Sequence, residues 1–155
     1  MNDNKIEAYW QEFLSTLAKD SPYHHTSYVA EGWGVGPEMA DELGTLIVAG
    51  TKTATCSALW EWESEGESPP AVGTVTIVLD GSGAPIGIVE TTEVTIRKYN
   101  EVDADFAREE GEGDLSLQYW REAHKNFFSR TLPEIGKEFS EEMPLVCERF
   151  RLIYK

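Results

Sequence analysis

Val75-Thr76-Ile77-Val78-Leu79, followed directly by Asp80-Gly81-Ser82-Gly83, is the stretch that decides the fold. A run of β-branched and aliphatic residues is typical of a strand, and an Asp-Gly-Ser-Gly tetrapeptide is typical of a tight turn. The apolar, β-branched pattern then resumes over residues 86–97. The two runs therefore predict a β-hairpin with antiparallel strands on either side of the turn.

Further strands are predicted on both sides of this hairpin. Residues 53–62 are rich in β-branched and aromatic side chains and predict a strand, whereas residues 64–73 contain Pro69-Pro70 and break the pattern. Residues 145–154 alternate after Val146, which predicts a closing strand with one wet face. Three consecutive strands and a separate closing strand are therefore expected.

Apolar residues recur at helical spacing in three segments: residues 6–17, 37–47 and 117–128. The first helix is expected to end before Ser21-Pro22, and Gly50 lies just past the end of the second. Helices interspersed among mostly antiparallel strands predict an α+β fold. We expect a small, mixed, partly closed β-barrel with helices over its ends.

Length and charge limit the classes of function. The chain has 155 residues and a formal net charge of −15, from 13 basic and 28 acidic residues. A chain of this size is expected to form a single domain. Its acidity repels polyanions, which argues against binding to duplex DNA. A small positive pocket for one nucleotide is still allowed, because exposed charges beyond about 10 Å are largely screened.

Composition also bears on the location of the protein. No apolar run approaches the roughly 18 residues of a membrane span, and the first residues lack the features of a secretory signal. We therefore expect a cytoplasmic protein with no membrane partner. Cys56 and Cys147 lie in predicted strands and are expected to be buried thiols, without a disulfide or a metal. His24 and His25 have no convincing metal partners nearby and are expected to be loop residues.

The segment Gly50-Thr51-Lys52-Thr53-Ala54-Thr55 places a lysine three residues before a threonine, directly after a predicted helix. Loops in this position commonly hold functional groups on a rigid scaffold. It is not a Walker phosphate loop, because that motif has several glycines before its lysine and leads from a strand into a helix. The alternative is an exposed turn lysine followed by ordinary strand-forming threonines.

Three other features are candidates for binding. Trp33 lies among glycines in a predicted mobile loop and could stack on a base, with core packing as the alternative. Arg121 and His124 share one helical face and could act as a phosphate clamp and a proton shuttle. The alternative for His124 is a hydrogen-bonded core histidine. Residues 109–114 concentrate carboxylates around two glycines, and for most of them a solvated acidic loop is expected.

In combination, these features resemble the ASCH-domain family. The resemblance rests on Glu31-Gly32-Trp33-Gly34, Ala40-Asp41-Glu42-Leu43, the segment from Gly50 to Thr55, and Glu110-Gly111-Glu112-Gly113-Asp114 with Trp120-Arg121 and His124. It implies a PUA-like β-barrel, related to domains that bind RNA. Residues 1–155 would form a single ASCH domain, with residues 1–20 as an N-terminal helical extension.

The family includes amidohydrolases that remove the acyl group from N4-acetylated cytidine, and proteins described as ribonucleases. Because one fold serves several chemistries, a noncatalytic RNA-binding or regulatory module is a further alternative. We expect a hydrolase of the amidohydrolase type that binds a nucleoside or short single-stranded RNA. No cofactor or metal is expected, except a divalent cation under the ribonuclease alternative.

The resemblance also implies a site. Its catalytic residues would be Lys52, Thr55 and a glutamate, for which Glu112 is the first choice and Glu110 the second. The residues expected to bind substrate are Trp33, Gly50, Thr51, Thr53, Ser57, Arg121 and His124. In amide hydrolysis Thr55 would attack the acyl carbon, and the glutamate would position Lys52 or activate water.

Two roles are open for Lys52. To accept the Thr55 proton, its pKa must fall by about 3 units from about 10.4, and burial in a cleft must supply that shift. A nearby ionised glutamate acts in the opposite direction. If Lys52 keeps its charge, it stabilises a phosphate or a developing oxyanion instead.

Overall fold

The computed structural model describes residues 2–155. Within this range, five strands form one sheet: β1 (Val29–Glu31), β2 (Ala54–Ala58), β3 (Val75–Leu79), β4 (Pro85–Lys98) and β5 (Pro144–Tyr154). The α-helices in the same range are α1 (Asn2–Ser15), α2 (Pro37–Val48), α3 (Leu59–Ser64), α4 (Ala104–Glu110) and α5 (Leu117–Thr131). Short 3-10 helices occupy Pro22–His25, Tyr99–Glu101 and Leu132–Ile135.

The sheet is mixed, mostly antiparallel and curled. Its strand order is β1-β3-β4-β5-β2, with β1 parallel to β3 and the other neighbouring pairs antiparallel. The pairing of β4 with β5 shifts register between Ile88 and Val89 and again between Thr91 and Glu93. Such irregularities bend strands, and the sheet forms a half-barrel whose edge strands β1 and β2 line one cavity. The predicted α+β fold with a partly closed, mostly antiparallel barrel is confirmed.

The hairpin predicted from the sequence is β3 and β4. One carboxylate oxygen of Asp80 accepts hydrogen bonds from the backbone N–H groups of Ser82 and Ala84 at 2.9 and 3.0 Å. Asp41 of α2 accepts a bond from the Gly81 N–H at 2.7 Å, which ties the turn to that helix. Local turn chemistry thus fixes the register of the two central strands.

Three apolar clusters hold the helices on the sheet. Trp10 and Phe13 of α1 pack with Val75, Ile77 and Ile88. Ile47 of α2 packs with buried residues of three strands, which are Val78, Val89 and Phe150. The third cluster joins α4 and α5 to β2 and β5, and its largest buried side chains include Phe106, Trp120 and Phe128. This last cluster lies next to the Lys52 segment.

Several boundaries differ from the sequence predictions. The strand predicted over residues 53–62 ends at Ala58, and its second half is the helix α3. Short apolar runs do not distinguish strand from helix by periodicity. Here the helix packs Trp60 on the cluster of α4 and α5 and lets the Trp62 indole N–H donate to the Ser57 hydroxyl at 2.9 Å. α1 ends at Ser15, before the predicted Leu17.

Two elements were not predicted. β1 has three exposed residues, so the sequence carries no alternation of buried and exposed positions there. No helix was predicted over residues 104–110, which form α4, so Glu109 and Glu110 of the predicted acidic loop (residues 109–114) lie at the end of a helix. The Asp103 carboxylate caps it by accepting from the Phe106 N–H at 2.8 Å, and Phe106 and Ala107 are buried. Packing of Phe106 and Ala107 against the rest of the protein therefore stabilises a helix in this acidic segment, and the helix positions Glu110.

The helices of residues 2–155 are all too short or too polar to cross a lipid bilayer.

Candidate active site

A sharp turn after α2 puts Lys52 in the protein interior. Gly50 has φ +79°, a left-handed conformation that suits glycine at the end of a helix. The backbone N–H groups of Thr51 and Lys52 then both donate to the Leu46 carbonyl, at 3.0 and 3.1 Å. The Lys52 side chain is only 1% exposed as a result. The alternative of an exposed turn lysine is therefore wrong.

The Lys52 ammonium has three oxygen acceptors from the segment that follows α4. It donates to Glu110 Oε1 at 3.0 Å, to the Glu110 carbonyl at 3.2 Å and to Glu112 Oε2 at 3.4 Å. The Glu110 side chain is 2% exposed and that of Glu112 is 33% exposed. The sequence placed Glu112 first, but the shorter and more deeply buried contact belongs to Glu110.

The second oxygen of Glu110 is held by three side chains. It accepts hydrogen bonds from the Trp120 indole N–H and from the Cys56 thiol, the latter at 3.4 Å, and it lies 3.1 Å from His124 Nε2. The other ring nitrogen of His124, Nδ1, donates to the Trp120 carbonyl at 2.8 Å. Both ring nitrogens of His124 thus face acceptors, which favours the doubly protonated imidazolium.

The electrostatics of this cluster keep its members charged. Burial acts to lower the pKa of Lys52, but the carboxylates of Glu110 and Glu112 outweigh burial and raise it. Burial likewise acts to raise the pKa of Glu110, but the Lys52 and His124 charges hold it well below its usual range. The pKa of His124 is raised, because Glu110 outweighs the opposite effect of burial. Lys52 is consequently an ammonium ion at neutral pH.

Gly111 lets the two halves of the site approach each other. Its φ is +77°, and a Cβ atom there would lie 2.6 Å from the Thr51 carbonyl oxygen and 2.9 Å from Lys52 Cα. No side chain fits at that distance. Glycine is therefore required at position 111, because the end of α4 comes very close to the Lys52 turn there.

A cavity of about 680 Å³ opens beside the cluster. The predicted site residues that line it are Lys52, Thr55, Ser57, Trp33, Glu110, Glu112 and His124. Thr55 lies on β2, and no side-chain hydrogen bond engages its hydroxyl among the described residues. Trp33 is half-buried and packs edge-on against Phe150, with ring centroids 5.0 Å apart. The structure thus brings most of the predicted site to one cavity.

The remaining predicted residues lie outside the cavity lining. Gly50 and Thr51 belong to the turn that positions Lys52. The exposed Thr53 hydroxyl is 3.5 Å from the Glu109 carbonyl. Arg121 is exposed on α5 and does not line the cavity, and its backbone carbonyl accepts a hydrogen bond from the Tyr99 hydroxyl. The expected pairing of Arg121 with His124 at the site is therefore not found.

Two cavity carboxylates were missed by the sequence reasoning. Glu148 of β5 lies directly opposite Thr55 of β2 in the sheet, and Glu31 lies on the other edge strand, β1. Burial raises the pKa of Glu148 to about 7, and the charge of Glu31 contributes. One sequence feature could have identified Glu148 as a candidate: its carboxylate directly follows the apolar run Leu145-Val146-Cys147 of a predicted strand.

Cys56, Glu110 and His124 also form a possible metal-ligand set. Their ligand atoms lie within 4.8 Å of one another. However, the Lys52 ammonium is 3.0 Å from the same carboxylate and repels a second cation. The donors around Glu110 already satisfy its oxygens, so the cluster is better described as a hydrogen-bonded charge network.

Comparison with known proteins places this geometry in a family. The crystal structure of an ASCH domain from Lactobacillus crispatus JV V101 is similar, with a TM-score of 0.92 and 39% identity over 98% of this chain and 96% of that chain. The protein EF3133 from Enterococcus faecalis V583 is also similar, with a TM-score of 0.84 and 36% identity over 97% of this chain and 89% of that chain. No curated protein matches the sequence at a significant level. The sequence model of the family described as "ASCH domain" matches residues 31–154, and this chain therefore belongs to the ASCH-domain family.

Proposed function

We propose that this protein is a hydrolase that binds a nucleoside or short single-stranded RNA in the cavity beside Lys52 and removes an acyl group from N4-acetylated cytidine. The ASCH domain has a PUA-like, RNA-binding fold. The observation that carries the proposal is the buried Lys52 ammonium, held between Glu110 and Glu112 in the wall of the cavity that Thr55 also lines. Perturbed, buried charges at a cavity wall are typical of active sites.

In this proposal the Thr55 hydroxyl attacks the acyl carbon, and the Lys52 ammonium stabilises the oxyanion that develops. The charged state of Lys52 suits this role better than proton abstraction. Glu110 fixes the position of Lys52, and Trp120 and His124 fix Glu110. A preorganised cation in a site that excludes water stabilises the transition state more than a cation in bulk water does, because its surroundings need no reorganisation during the reaction.

The size and charge of the protein support a small ligand. A cavity of about 680 Å³ falls within the range of small-molecule sites, which is about 300–1,000 Å³. The net charge of −15 opposes long contacts with a phosphate backbone. A nucleoside, or one nucleotide of a short strand, therefore fits this cavity better than an extended polyanion does.

The test is release of acetate from N4-acetylcytidine by the purified protein. Thr55→Val is expected to lower the rate by at least about 100-fold, because the variant keeps the shape of the side chain but loses the nucleophile. The matched control is Thr92→Val, on the exposed face of β4, where the hydroxyl only donates to the Arg149 carbonyl at 3.2 Å. That variant should keep the wild-type rate. Equal rates for Thr55→Val and wild type would contradict the proposal.

A second candidate function is cleavage or retention of RNA. It is favoured by the two cations in the cavity wall, Lys52 and His124, which could hold a phosphate without any proton abstraction. A short RNA incubated in parallel tests it, with and without a divalent cation. Cleavage of that RNA, or binding that weakens steeply with salt, in the absence of acetate release would replace the amidohydrolase proposal.

A further inference from the structure

We propose that Glu148 carries the Thr55 proton during the proposed hydrolysis, first as a base and then as an acid, with Glu31 tuning its proton affinity. This inference rests on the proposed function, and it supplies the proton acceptor that a charged Lys52 leaves missing. In this arrangement Lys52 stabilises the negative charge that develops on the acyl oxygen, and Glu148 accepts and returns the Thr55 proton.

The sheet register places Glu148 next to Thr55. The two residues are paired across β2 and β5. Side chains at directly opposed positions project from the same face of a sheet, with Cβ atoms about 4.5–5.5 Å apart. Both residues also line the cavity. This distance allows a carboxylate to reach a threonine hydroxyl directly or through one water molecule.

Glu148 is poised to exchange a proton. Its one side-chain hydrogen bond within the described chain is a long one, 3.5 Å from the Thr91 hydroxyl, and no basic residue forms a salt bridge with it there. By contrast, its neighbours in β5, Arg149 and Arg151, pair with carboxylates on the other face of the strand. A half-buried carboxylate without a cation keeps its proton to higher pH than an ordinary glutamate does.

Glu31 is the charged group that acts on Glu148 from the opposite edge of the half-barrel. Burial raises the pKa of Glu148 to about 7, the charge of Glu31 adds to it, and the Thr91 hydroxyl opposes it. Glu31 is exposed as a residue, but the surrounding protein partly desolvates its carboxylate and raises its pKa, and the nearby Trp33 indole opposes that shift. A base is most effective when its pKa lies near the working pH, which favours Glu148 over the strongly stabilised carboxylate of Glu110.

Other charged groups face the same cavity from the surrounding elements. The acidic ones are Glu42 on α2, Glu61 and Glu65 on α3, and Glu110 and Glu112 after α4; the basic ones are Lys52, His124 and Arg130. Lys52 and His124 are already paired with Glu110. Of the acidic residues that line the cavity, Glu31 is the one whose charge raises the pKa of Glu148.

The proton balance closes over the two half-reactions. As the Thr55 oxygen bonds to the acyl carbon, the Glu148 carboxylate accepts the hydroxyl proton. The bond between the acyl carbon and N4 of the cytosine then breaks, and its electron pair stays on nitrogen, which takes the proton from Glu148. In the second half-reaction Glu148 accepts a proton from the water that attacks the acyl-threonine ester and returns it to the Thr55 oxygen. Acetic acid leaves and both residues are restored.

The test is the pH dependence of kcat/KM for N4-acetylcytidine. In the wild type, the rate is expected to rise with pH along a limb centred near 7, because Glu148 must lose its proton to act as a base. Glu148→Gln should lower the rate by about 100-fold or more and abolish the limb. Glu148→Asp should keep the limb at a reduced rate, because it keeps the titrating group at a longer distance.

Glu31→Gln separates a tuning role from a structural one. Removal of its negative charge lowers the pKa of Glu148, so the limb should move to lower pH. The matched control is Glu138→Gln, an exposed glutamate outside the cavity lining, which should leave the limb in place. Thermal unfolding of each variant shows that it is folded. A purely structural role for Glu31 would change stability but not the position of the limb.

The outcomes for this inference and for the proposed function are distinct. Absence of acetate release by the wild type, or full activity of Thr55→Val, overturns both. If Thr55→Val is inactive but Glu148→Gln keeps the rate and the limb, the hydrolase stands and the assignment of Glu148 fails. A limb that Glu31→Gln does not move overturns the role given to Glu31 alone.

Discussion

Lys52→Met is expected to lower the free energy of unfolding by about 3–5 kcal/mol, the loss typical of breaking a buried ion pair by removing one partner. The lysine stem and the methionine side chain are similarly apolar, so the change mainly removes the charge. Glu110, which is 2% exposed, would keep a buried negative charge with only His124 to balance it. Chemical denaturation at neutral pH measures the loss.

The double variant Lys52→Met with Glu110→Gln is the control for this prediction. It removes both charges, so no unpaired ion remains buried, and it should recover a large part of the lost stability. A Lys52→Met protein as stable as the wild type, or a double variant less stable than Lys52→Met, would show that the pair is not the source of the effect.

Acid unfolding supplies a second measure of the same pair. The pKa of Glu110 is depressed in the folded state. Its contribution to stability is therefore fully present above the unfolded carboxyl pKa of about 4.3, and is lost as the pH falls towards the folded value. The difference in the free energy of unfolding between wild type and Lys52→Met should accordingly shrink as the pH is lowered below the pKa of the unfolded carboxyl group.

Gly111→Ala is expected to lower the free energy of unfolding by about 2–5 kcal/mol and to disrupt the Lys52 site. Two penalties add. The first is the left-handed backbone at φ +77°, and the second is the contact of the new Cβ with the Thr51 carbonyl oxygen at 2.6 Å. Because that contact is with backbone, no side-chain rotation relieves it. Thermal and chemical unfolding measure the loss.

Gly50→Ala separates the two penalties. Its φ is +79°, close to that of Gly111, but a Cβ atom there has no neighbour within 4 Å. It should cost only the conformational term, about 1–2 kcal/mol. The difference between the two variants then reports the close approach of the α4 end to the Lys52 turn. Equal losses would mean that this approach contributes nothing to stability.

The two stability predictions concern one structural idea. The ion pair of Lys52 and Glu110 exists because the turn after α2 and the turn after α4 are in backbone contact at Gly111. Burial of both charges costs stability unless they remain paired and hydrogen-bonded. Such a costly arrangement at a cavity wall is more readily explained by chemistry than by fold stability.

The sequence by itself determined the elements that depend on local signals. The hairpin of β3 and β4 followed from turn residues around Asp80, and α1, α2 and α5 followed from apolar residues at helical spacing. The order of motifs around Lys52 was sufficient to suggest the family, which the similar structures and the match over residues 31–154 confirm. These signals act over a few residues, or in a fixed order along the chain, and can be read without a fold.

Tertiary structure alone decided which of these side chains meet. The sequence could not rank Glu110 above Glu112, because the helix α4 that buries Glu110 forms only when Phe106 packs against the rest of its cluster. It could not bring Glu148 to Thr55, since that neighbourhood depends on the register of β2 against β5, strands far apart in the chain. The sequence also could not show that Arg121 lies outside the cavity, because the packing of α5 determines which of its side chains face the cavity. Contacts between distant segments depend on burial and register, and a local pattern contains neither.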